Sequence, residues 1–513
     1  MTARLVRVHP DTYVDSVQLM AATRAMEARP GVDWAAALMG TPANIETLAG
    51  EGFDEVALAD ASANDLVLAA RAGGAQDAEW AIEGGESVLA APTVPAPGRE
   101  ARRPGTLEEA AAGLPGANLA VVSVPGAFAT LEAQKAISAG LHVLLFSDNV
   151  SVDDEVELKA RAADLGLLVM GPGGGTAMLG GVGLGFANAV RRGSVGIVAA
   201  AGTGAQEVMC LIDRWGGGVS AVVGIGGRDL SDRVGGRMAR LALRAMDADP
   251  GVEVVLLVSK PPSPRVAASL FRDLGAKPSV VALVGFQEYL SAPEGVRVAR
   301  SLEQAAAWSI EALGIPPPDV ARDLPDLVTA ATTRIPEERM AVRGLFSGGS
   351  LCYESMVVLS AHLGAVYSNT PLRDEWGLPP PAGTHVCLDL GEEEYTRGRP
   401  HPMIDPHARA ELIRREGSDP ATAVVLIDVV LGYGAHPDPA SALAPVCEDV
   451  ADRPDGPAVV AYVLGTEADP QGLERQRARL ADAGCLLAPT NSRSARMAAA
   501  IAARRPEIAG ERG

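Results

Sequence analysis

Aromatic side chains are scarce in this sequence: Phe, Trp and Tyr make up 4% of the 513 residues, although hydrophobic residues make up 48%. The cores must therefore be built mainly from Ala, Val, Leu and Gly, a mixture that favours helices stacked on parallel strands over a β-sandwich. Long runs of Lys or Arg are also lacking, and the net charge is −20. Both features argue against nucleic acid or an anionic membrane as the partner.

Cysteine is rare as well, and no CxxC pair occurs, which is typical of a reducing cytosol rather than a disulfide framework. The start of the chain lacks the apolar core of a signal peptide, and the longest apolar runs, such as residues 459–465, have the length of a strand. We therefore expect a cytoplasmic protein that does not enter the membrane. The seven histidines show no HExxH motif or paired ligand spacing, so no metal site is expected.

Short β-branched runs alternate with longer Ala/Leu/Glu/Arg segments from about residue 110. The pattern predicts, in order, a strand, a helix, a strand, a helix and a strand at 118–125, 128–140, 141–148, 153–166 and 167–173. This is the alternation of a doubly wound α/β unit with right-handed crossovers. In the first hundred residues, 39–52 indicates a strand end and a helix, and the Pro/Arg-rich stretch 91–105 indicates a linker.

Two further blocks share one order of parts. The block starting at residue 191 and the block starting at residue 342 each open with Arg-Gly, an apolar strand, a turn of small residues and a helix that carries a glutamate, Glu207 or Glu354. Later strands are predicted at 220–227, 253–264 and 279–286 in the first of these blocks, and within 384–394, 423–439 and 458–470 in the other. This weak internal repeat predicts two homologous α/β domains packed as a pseudo-dimer.

Three glycine-rich turns follow predicted strands, at 199–207, 346–354 and 430–439. Ligands of parallel α/β sheets lie beyond the carboxyl ends of the strands, where helix N-termini present N–H groups that favour anions. The candidate phosphate-binding residues are therefore Gly202, Thr203, Gly204, Gly348, Gly349, Ser350, Gly432 and Gly434. The glycines are also consistent with tight strand-to-helix turns alone, and none of the turns fits the Walker pattern.

The stretch 395–412 combines two arginines, two histidines and an aspartate with three prolines, which would make a rigid loop. Such a loop is suited to gripping a carboxylate or carbamoyl group, with Arg397, Arg399, His401 and Asp405 as candidates; it is equally consistent with a domain-joining loop that carries Arg–Asp pairs. His436 follows a buried strand and is a candidate for an acid, base or oxyanion role, or is a solvated loop histidine. Asn188 is a further candidate for substrate binding.

The stretch 171–236, followed by "GLFSGGSLCYESM", "GRPHPMIDP" and "DVVLGYGAHPDP", resembles the FdrA family over about residues 110–513. FdrA proteins are themselves similar to succinyl-CoA synthetase. The resemblance implies an α/β protein with a Rossmann-like CoA-binding domain followed by two flavodoxin-like ligase domains of the succinyl-CoA synthetase type. The implied segments are a family-specific N-terminal segment, a CoA-binding-like domain, an α-type ligase domain and a β-type ligase domain without the ATP-grasp portion, at 1–105, 106–190, 191–330 and 335–510.

In the synthetases a histidine of the α-type ligase domain carries phosphate, and two helix starts grip that phosphate. The turns at 202–204 and 432–434 match those helix starts in position, but residues 191–330 contain no histidine. Lys260 stands where a glutamate should hold the phosphohistidine, and "GPGGGT" replaces the usual "GPDCGT". A positive charge at this place favours a bound anion over a cationic imidazole, which predicts a free phosphoanhydride such as carbamoyl phosphate as ligand.

Carbamoyl transfer is the first hypothesis, because the resemblance connects the family with purine-ureide (allantoin) breakdown, in which oxalurate yields oxamate and carbamoyl phosphate with the help of two partner subunits. The 202–204 and 432–434 turns and Lys260 would then hold phosphate, Arg397, Arg399 and His401 would orient the acceptor, and His436 would polarise the carbonyl or move a proton. The alternatives are an acyl-CoA synthetase that works with a nucleotide-binding partner, and a silent CoA-binding scaffold. Carbamoyl phosphate or phosphate is the expected substrate, CoA remains an option, and assembly with partner subunits or with further copies of the chain is expected.

Overall fold

The computed structural model describes residues 2–12, 14, 16–53, 58, 61–90, 104–288, 291–396 and 400–511. Contacts between residues divide the chain near residue 104 into an N-terminal unit and a larger second unit. The linker predicted at 91–105 lies almost wholly outside the described residues. Among the described helices, none has the length and apolar character needed to cross a membrane.

Three antiparallel strands form the sheet of the N-terminal unit, with β3 between β1 and β2. The elements are β1 (Ala3–His9), α1 (Ser16–Glu27), β2 (Val32–Met39), α2 (Pro42–Gly50), β3 (Leu66–Ala72) and α3 (Ala75–Ala90). The strand end and helix predicted within 39–52 are confirmed. The hydroxyl of Thr41 caps α2 by accepting a hydrogen bond from the Asn44 N–H at 3.4 Å, and a proline opens the first turn.

The second unit begins with a three-stranded parallel sheet in the order β4-β5-β6. Its elements are α4 (Leu107–Gly113), β4 (Leu119–Val122), α5 (Gly126–Ser138), β5 (His142–Leu145), α6 (Val152–Asp164) and β6 (Val169–Met170). The type and order of the five elements predicted over 118–173 are confirmed, with ends that differ by a few residues. The strands are short and, apart from the exposed Val121 of β4, mostly buried, so their sequences are continuous apolar runs.

A seven-stranded sheet follows, in the order β13-β12-β11-β9-β10-β7-β8. The strands β9 to β13 are parallel, and the hairpin of β7 and β8 adds antiparallel to β10. The elements are β7 (Thr176–Leu179), β8 (Val182–Gly185), β9 (Arg192–Ala199), α7 (Gly202–Arg214), β10 (Val219–Gly224), α8 (Arg237–Ala248), β11 (Val254–Ser259), α9 (Pro264–Leu270), β12 (Ser279–Leu283), β13 (Val296–Ala299) and α10 (Leu302–Ala312).

A six-stranded, wholly parallel sheet completes the second unit, in the order β15-β16-β14-β17-β18-β19. The elements are α11 (Leu324–Thr332), β14 (Ala341–Phe346), α12 (Gly349–Leu363), β15 (Val366–Tyr367), β16 (His385–Asp389), α13 (Glu393–Thr396), α14 (His407–Ser418), β17 (Thr422–Val430), α15 (Pro439–Ala451), β18 (Ala458–Leu464), α16 (Leu473–Asp482), β19 (Leu486–Ala488), α17 (Asn491–Ala503) and α18 (Glu507–Gly510), with a 3₁₀ turn at Asp374–Trp376. The predicted α/β class with parallel sheets is therefore confirmed.

The two large sheets repeat one topology. In each, a central strand (β9 or β14) leads directly into a helix (α7 or α12) and lies between two parallel strands that follow it in the chain (β10 and β11, or β16 and β17). Side chains from both sheets, from α7, α10, α12 and α17 form one continuous hydrophobic cluster. The helix glutamates that marked the repeat are equivalent: Glu207 accepts a hydrogen bond from the first N–H of α17, and Glu354 from the first N–H of α10. The predicted pseudo-dimer packs through these helices.

A buried lysine links α6, which follows β5 of the three-stranded parallel sheet, to the segment after β10 of the seven-stranded sheet. Lys159 of α6 is fully buried, and its ammonium donates to Glu155 at 2.7 Å, to Asp229 at 3.0 Å and to the Ile225 carbonyl at 2.8 Å. Asp229 also accepts the Ala239 N–H near the start of α8. Because every charge in this group has a partner of opposite sign, the contact tolerates its burial.

Candidate functional site

The start of α7 has open hydrogen-bonding capacity. Ala201 precedes the helix and supplies no side-chain cap, and Gly202 is exposed. Within the part of the chain that the structure describes, no acceptor faces the N–H groups of Gly202, Thr203 and Gly204. Three unpaired N–H groups at the positive end of a 13-residue helix form a surface that stabilises an anion.

The start of α12 lies directly opposite, and there the N–H groups of Ser347, Gly348 and Ser350 have acceptors within the protein. The carboxylate of Asp428, at the end of β17, accepts from the N–H groups of Ser347 and Gly348, both at 2.8 Å, and from the Ser347 hydroxyl at 3.0 Å. The Ser350 N–H donates to Thr203 Oγ1 at 3.2 Å, which joins the two helix starts. Asp428 is fully buried and pairs with Arg409 of α14 at 3.3 Å. At this turn the carboxylate of Asp428 therefore takes the place that a bound anion would occupy.

The turn at 432–434 is filled in a different way. The Gly432 N–H donates to the Gln471 side chain at 3.0 Å, and the Tyr433 N–H donates to the Ala187 carbonyl at 2.7 Å. A Cβ on Gly432 would lie 2.5 Å from the Ala187 oxygen, and a Cβ on Gly434 would lie 3.0 Å from the ring of Phe186. The next helix, α15, begins only at Pro439. These glycines permit close packing of two chain segments.

Asn188 lies in the same packing zone and has protein partners for its amide. Its Nδ2 donates to the Leu431 carbonyl at 3.0 Å and to Asp469 at 2.8 Å, and its Oδ1 accepts from Gln206 at 3.0 Å. The side chain is 2% exposed. It therefore holds Gln206, in the second turn of α7, against the segment that follows β17.

Lys260 brings a positive charge to the two helix starts. It follows β11 directly and lines a small cavity together with Ala201, Gly204, Ser350 and Tyr353. Its ammonium lies 5.5 Å from the centre of the Tyr353 ring, within range of a cation–π contact. The open N-terminus of α7 and this ammonium are two sources of positive potential at one place.

A buried carboxylate, Asp389, ends β16 beside the start of α12. A Cβ on Gly349 would lie 2.3 Å from Asp389 Oδ2, so only glycine lets the helix approach so closely. Burial raises the pKa of Asp389 to about 6, while the nearby Lys260 lowers it. Asp389 is therefore a carboxyl group that changes charge close to neutral pH.

His401 lies beside the same strand end. A Cβ on Gly391 would be 2.7 Å from His401 Nε2 and 3.2 Å from Asp389 Oδ1, so both atoms flank one point. Burial lowers the pKa of His401 to about 4, which keeps the ring neutral at physiological pH. Its Nδ1 accepts the Met403 N–H at 3.2 Å, which leaves the proton on Nε2. The residue thus presents a neutral N–H donor.

The other candidates of the 395–412 stretch are distributed differently. The Asp405 carboxylate pairs with His407 Nδ1 at 2.7 Å, and its pKa is lowered by hydrogen bonds from His407 and by the charges of His407 and His436, against the opposing effect of burial. The Nδ1 of His436 accepts a hydrogen bond from the Asp438 N–H at 3.1 Å, and the backbone N–H of His436 donates to the Met403 carbonyl. Arg397 and Arg399 lie outside the described residues, so their part in binding an acceptor stays a prediction.

Sequence reasoning did not single out Asp389 or Asp428. Both sit at or near the end of a strand, in "VCLDLG" and "VVLIDVV", where an acidic residue interrupts an otherwise apolar run. That interruption was the available signal. Which of the two carboxylates satisfies the turn at 347–349 depends on the pairing of β14 between β16 and β17, which the sequence does not state.

Two family models match the chain. The model described as CoA-ligase matches residues 345–501, and the model described as "AllF, heavy metal-associated domain" matches residues 1–104. Residues 1–104 contain no cysteine, and among the described residues no group of three or more His, Cys, Asp or Glu side chains could hold a metal ion. The residues present therefore do not fit a thiolate-bound heavy metal.

Three curated relatives place these domains in a wider context. The chain is 32% identical to subunit alpha 2 of an ADP-forming succinate–CoA ligase from Archaeoglobus fulgidus and 26% identical to subunit SauD of an ADP-forming sulfoacetate–CoA ligase from Bilophila wadsworthia. Each match covers 36% of this chain, and 62% and 63% of those subunits. It is 38% identical to the uncharacterized protein YahF of Escherichia coli over 97% of this chain and 98% of that protein. The chain therefore belongs to the YahF family and joins an N-terminal domain of the AllF type to a domain of the CoA-ligase family.

Proposed function

We propose that this chain is an acyl-transferring subunit of a CoA-ligase-type enzyme, which binds an acyl phosphate and passes its acyl group to the thiol of CoA. The observation that carries the proposal is the open start of α7 beside Lys260. In the other two glycine turns, N–H groups donate to Asp428, and to Gln471 and Ala187. We therefore assign the phosphoryl group to the start of α7.

The absence of histidine from residues 191–330 supports a preformed acyl phosphate rather than a phosphorylated enzyme. Lys260 stabilises a dianionic phosphoryl group directly, whereas it would repel a protonated imidazole. In this proposal the step that consumes nucleotide belongs to a partner subunit. The similarity to subunits of ADP-forming CoA ligases supports such a partnership.

The reacting carbonyl would lie between the phosphoryl cradle and His401. The Nε2–H of His401 is a neutral donor at physiological pH and would stabilise the negative charge that develops on the carbonyl oxygen. When the thiol sulfur bonds to the carbonyl carbon, the C–O bond to the phosphoryl group breaks, and its electron pair leaves with phosphate. Lys260 and the α7 N–H groups would balance that charge.

In this proposal the pantetheine arm of CoA would lie in a cleft between α5 and α6. It has a volume of about 790 Å³ and is lined by Gly126, Asn149 and Ser151 among others. The size falls in the range of small-molecule sites, and amide and hydroxyl groups suit a pantetheine arm. A Cβ on Gly126 would lie 2.3 Å from the Asp148 carbonyl, so the close approach of α5 to this loop requires glycine.

Carbamoyl transfer is the second candidate, and the charge of the same cleft favours it. Asp154 and Glu157 line the cleft and Arg161 alone opposes them, a balance that disfavours the phosphates of CoA. Carbamoyl phosphate is itself an acyl phosphate and would use the same cradle, with an amide nitrogen such as that of oxamate as acceptor. The narrower assignment to the FdrA family, with its link to purine-ureide breakdown, belongs to this second candidate.

One assay separates the candidates. Protein alone, and protein with co-expressed neighbouring gene products, is incubated with labelled acetyl phosphate or labelled carbamoyl phosphate, and with CoA or oxamate. A labelled thioester supports the first candidate, and a carbamoylated amide formed without CoA supports the second. Lys260→Gln should lower turnover about 100-fold or more, whereas Arg272→Gln, which removes an exposed charge, should not. No turnover in any mixture would contradict both candidates and favour a binding scaffold.

A further inference from the structure

Asp389 and Asp428 lie near the ends of β16 and β17, the two strands that flank β14, but their carboxylates differ in how many hydrogen bonds they accept. Asp428 accepts three hydrogen bonds through its carboxylate and has Arg409 as counter-ion. Asp389 is 3% exposed, and within the described residues one N–H group, that of Gly391 at 3.1 Å, donates to its carboxylate. Burying a carboxylate with so little compensation is costly, and such groups concentrate at functional sites.

The backbone of Asp389 is held firmly even though its carboxylate is not. The side-chain amide of Asn369 accepts the Asp389 N–H and donates to the Asp389 carbonyl, both at 2.9 Å. Gly349 leaves the carboxylate no side chain to pack against on the α12 side, and a Cβ there would lie 2.3 Å from Oδ2. The chain thus fixes the position of this carboxylate against the start of α12.

We infer that Asp389 is the proton acceptor for the group that attacks the acyl phosphate, an inference that rests on the proposed function. The S–H proton of a thiol, or the N–H proton of an amide, passes to the Asp389 carboxylate as the new C–S or C–N bond forms. The C–O bond to the phosphoryl group breaks, phosphate leaves with the electron pair, and the proton follows it on release. His401 faces the same point beside Gly391 and holds the carbonyl oxygen.

The charged and titratable groups around Asp389 fit this role. Lys260 follows β11, and Glu392 and His401 follow β16. Asp428 belongs to β17, and Cys352 belongs to α12. Burial raises the pKa of Asp389 to about 6, Lys260 opposes the rise, and Glu392 and Asp428 add to it. As a proton acceptor Asp389 must be ionised, so turnover should rise with pH through about 6 and level off above it.

The test compares the wild type with Asp389→Asn, in which the amide oxygen still accepts the Gly391 N–H, so that a purely structural role survives. We expect kcat to fall about 100-fold or more without any decrease in Tm, and the rise of the rate near pH 6 to disappear. Glu253→Gln removes an exposed carboxylate on the segment before β11 and should stay within about twofold of wild type. Gly349→Ala should also lose activity, because its Cβ displaces the Asp389 carboxylate while alanine is well accepted at a helix start.

Sulfate binding distinguishes failure of this inference from failure of the proposed function. Sulfate stays a dianion between pH 5 and 8, so any change of its affinity with pH reports the ionisation of the protein. The wild type should bind sulfate several-fold more weakly as Asp389 ionises, and Asp389→Asn should bind it equally at all pH values. Wild-type turnover that survives Asp389→Asn with its pH profile intact would overturn the role of Asp389 and leave the proposed function standing. Absent wild-type turnover would overturn the proposed function, and sulfate affinity independent of pH in the wild type would overturn the location of Asp389 at the anion site.

Discussion

Replacing Glu207 with glutamine should stabilise the protein at alkaline pH. Glu207 is fully buried in α7, where the Tyr462 hydroxyl donates to Oε2 at 2.5 Å and the Asn491 N–H donates to Oε1 at 3.2 Å. Burial raises its pKa to about 8, so the carboxyl is mainly protonated at pH 7. A glutamine amide has the same shape, and its oxygen can accept from Asn491 while its nitrogen donates to the Tyr462 oxygen.

The expected magnitude follows from the difference between the folded and unfolded pKa values. The folded value of about 8 lies above the ordinary glutamate pKa of 4.5, so the folded state holds the proton more tightly, and stability falls as pH rises from 4.5 through 8. A shift of this size corresponds to a loss on the order of 5 kcal/mol once the pH exceeds 8, since each pKa unit is worth about 1.4 kcal/mol. Glutamine removes this dependence. A smaller slope should remain, because burial also raises the pKa of Glu354, to about 7.

The assay is the Tm measured between pH 5 and 9 for the wild type, Glu207→Gln and Glu253→Gln, the last of which alters an exposed carboxylate. The wild type and Glu253→Gln should lose stability together as the pH rises, while Glu207→Gln should lose less and become the most stable of the three at pH 9. A parallel decline of all three proteins would refute the reasoning, because the buried carboxyl would then not ionise at the expense of the fold.

Two further substitutions test other buried charges. Lys159→Met removes the cation between Glu155 and Asp229 and should destabilise the second unit by about 3–5 kcal/mol, seen as a lower Tm in thermal unfolding; an unchanged Tm would mean that this ion group is not needed. Asp428→Asn leaves Arg409 buried without its counter-ion and removes one acceptor from the turn at 347–349. It should lower Tm markedly, whereas Asp482→Asn at the exposed end of α16 should not.

The sequence predicted the strands and helices of the second unit well, because parallel strands buried on both faces are continuous apolar runs that stand out between amphipathic helices. The repeat was also visible, since Glu207 and Glu354 mark equivalent helices in two blocks of like order. The strands of the N-terminal unit were harder to predict from the sequence, because they are half-exposed or rich in alanine. In addition, β1 contains two arginines, one of which pairs with Glu86 of α3.

The candidate site was predictable only in part. Sequence reasoning found three similar glycine turns, yet the turn at 347–349 is closed by Asp428 from β17 and the turn at 432–434 by Ala187 and Gln471. Each partner lies far away in the chain, so local pattern carries no information about it. The position of Lys260 after β11 could be predicted because the residue directly follows a predicted strand. The importance of Asp389 could not, because it depends on the close approach of Gly349 to its carboxylate.

The central claim is that the start of α7 and Lys260 together hold the phosphoryl group of an acyl phosphate. Its most direct test is a crystal structure with acetylphosphonate, which lacks the bridging oxygen and cannot transfer its acyl group. We expect the phosphonate within hydrogen-bond distance of the N–H groups of Gly202, Thr203 and Gly204 and of the Lys260 ammonium. A phosphonate bound at the 347–349 turn or the 432–434 turn, away from Lys260, would contradict it.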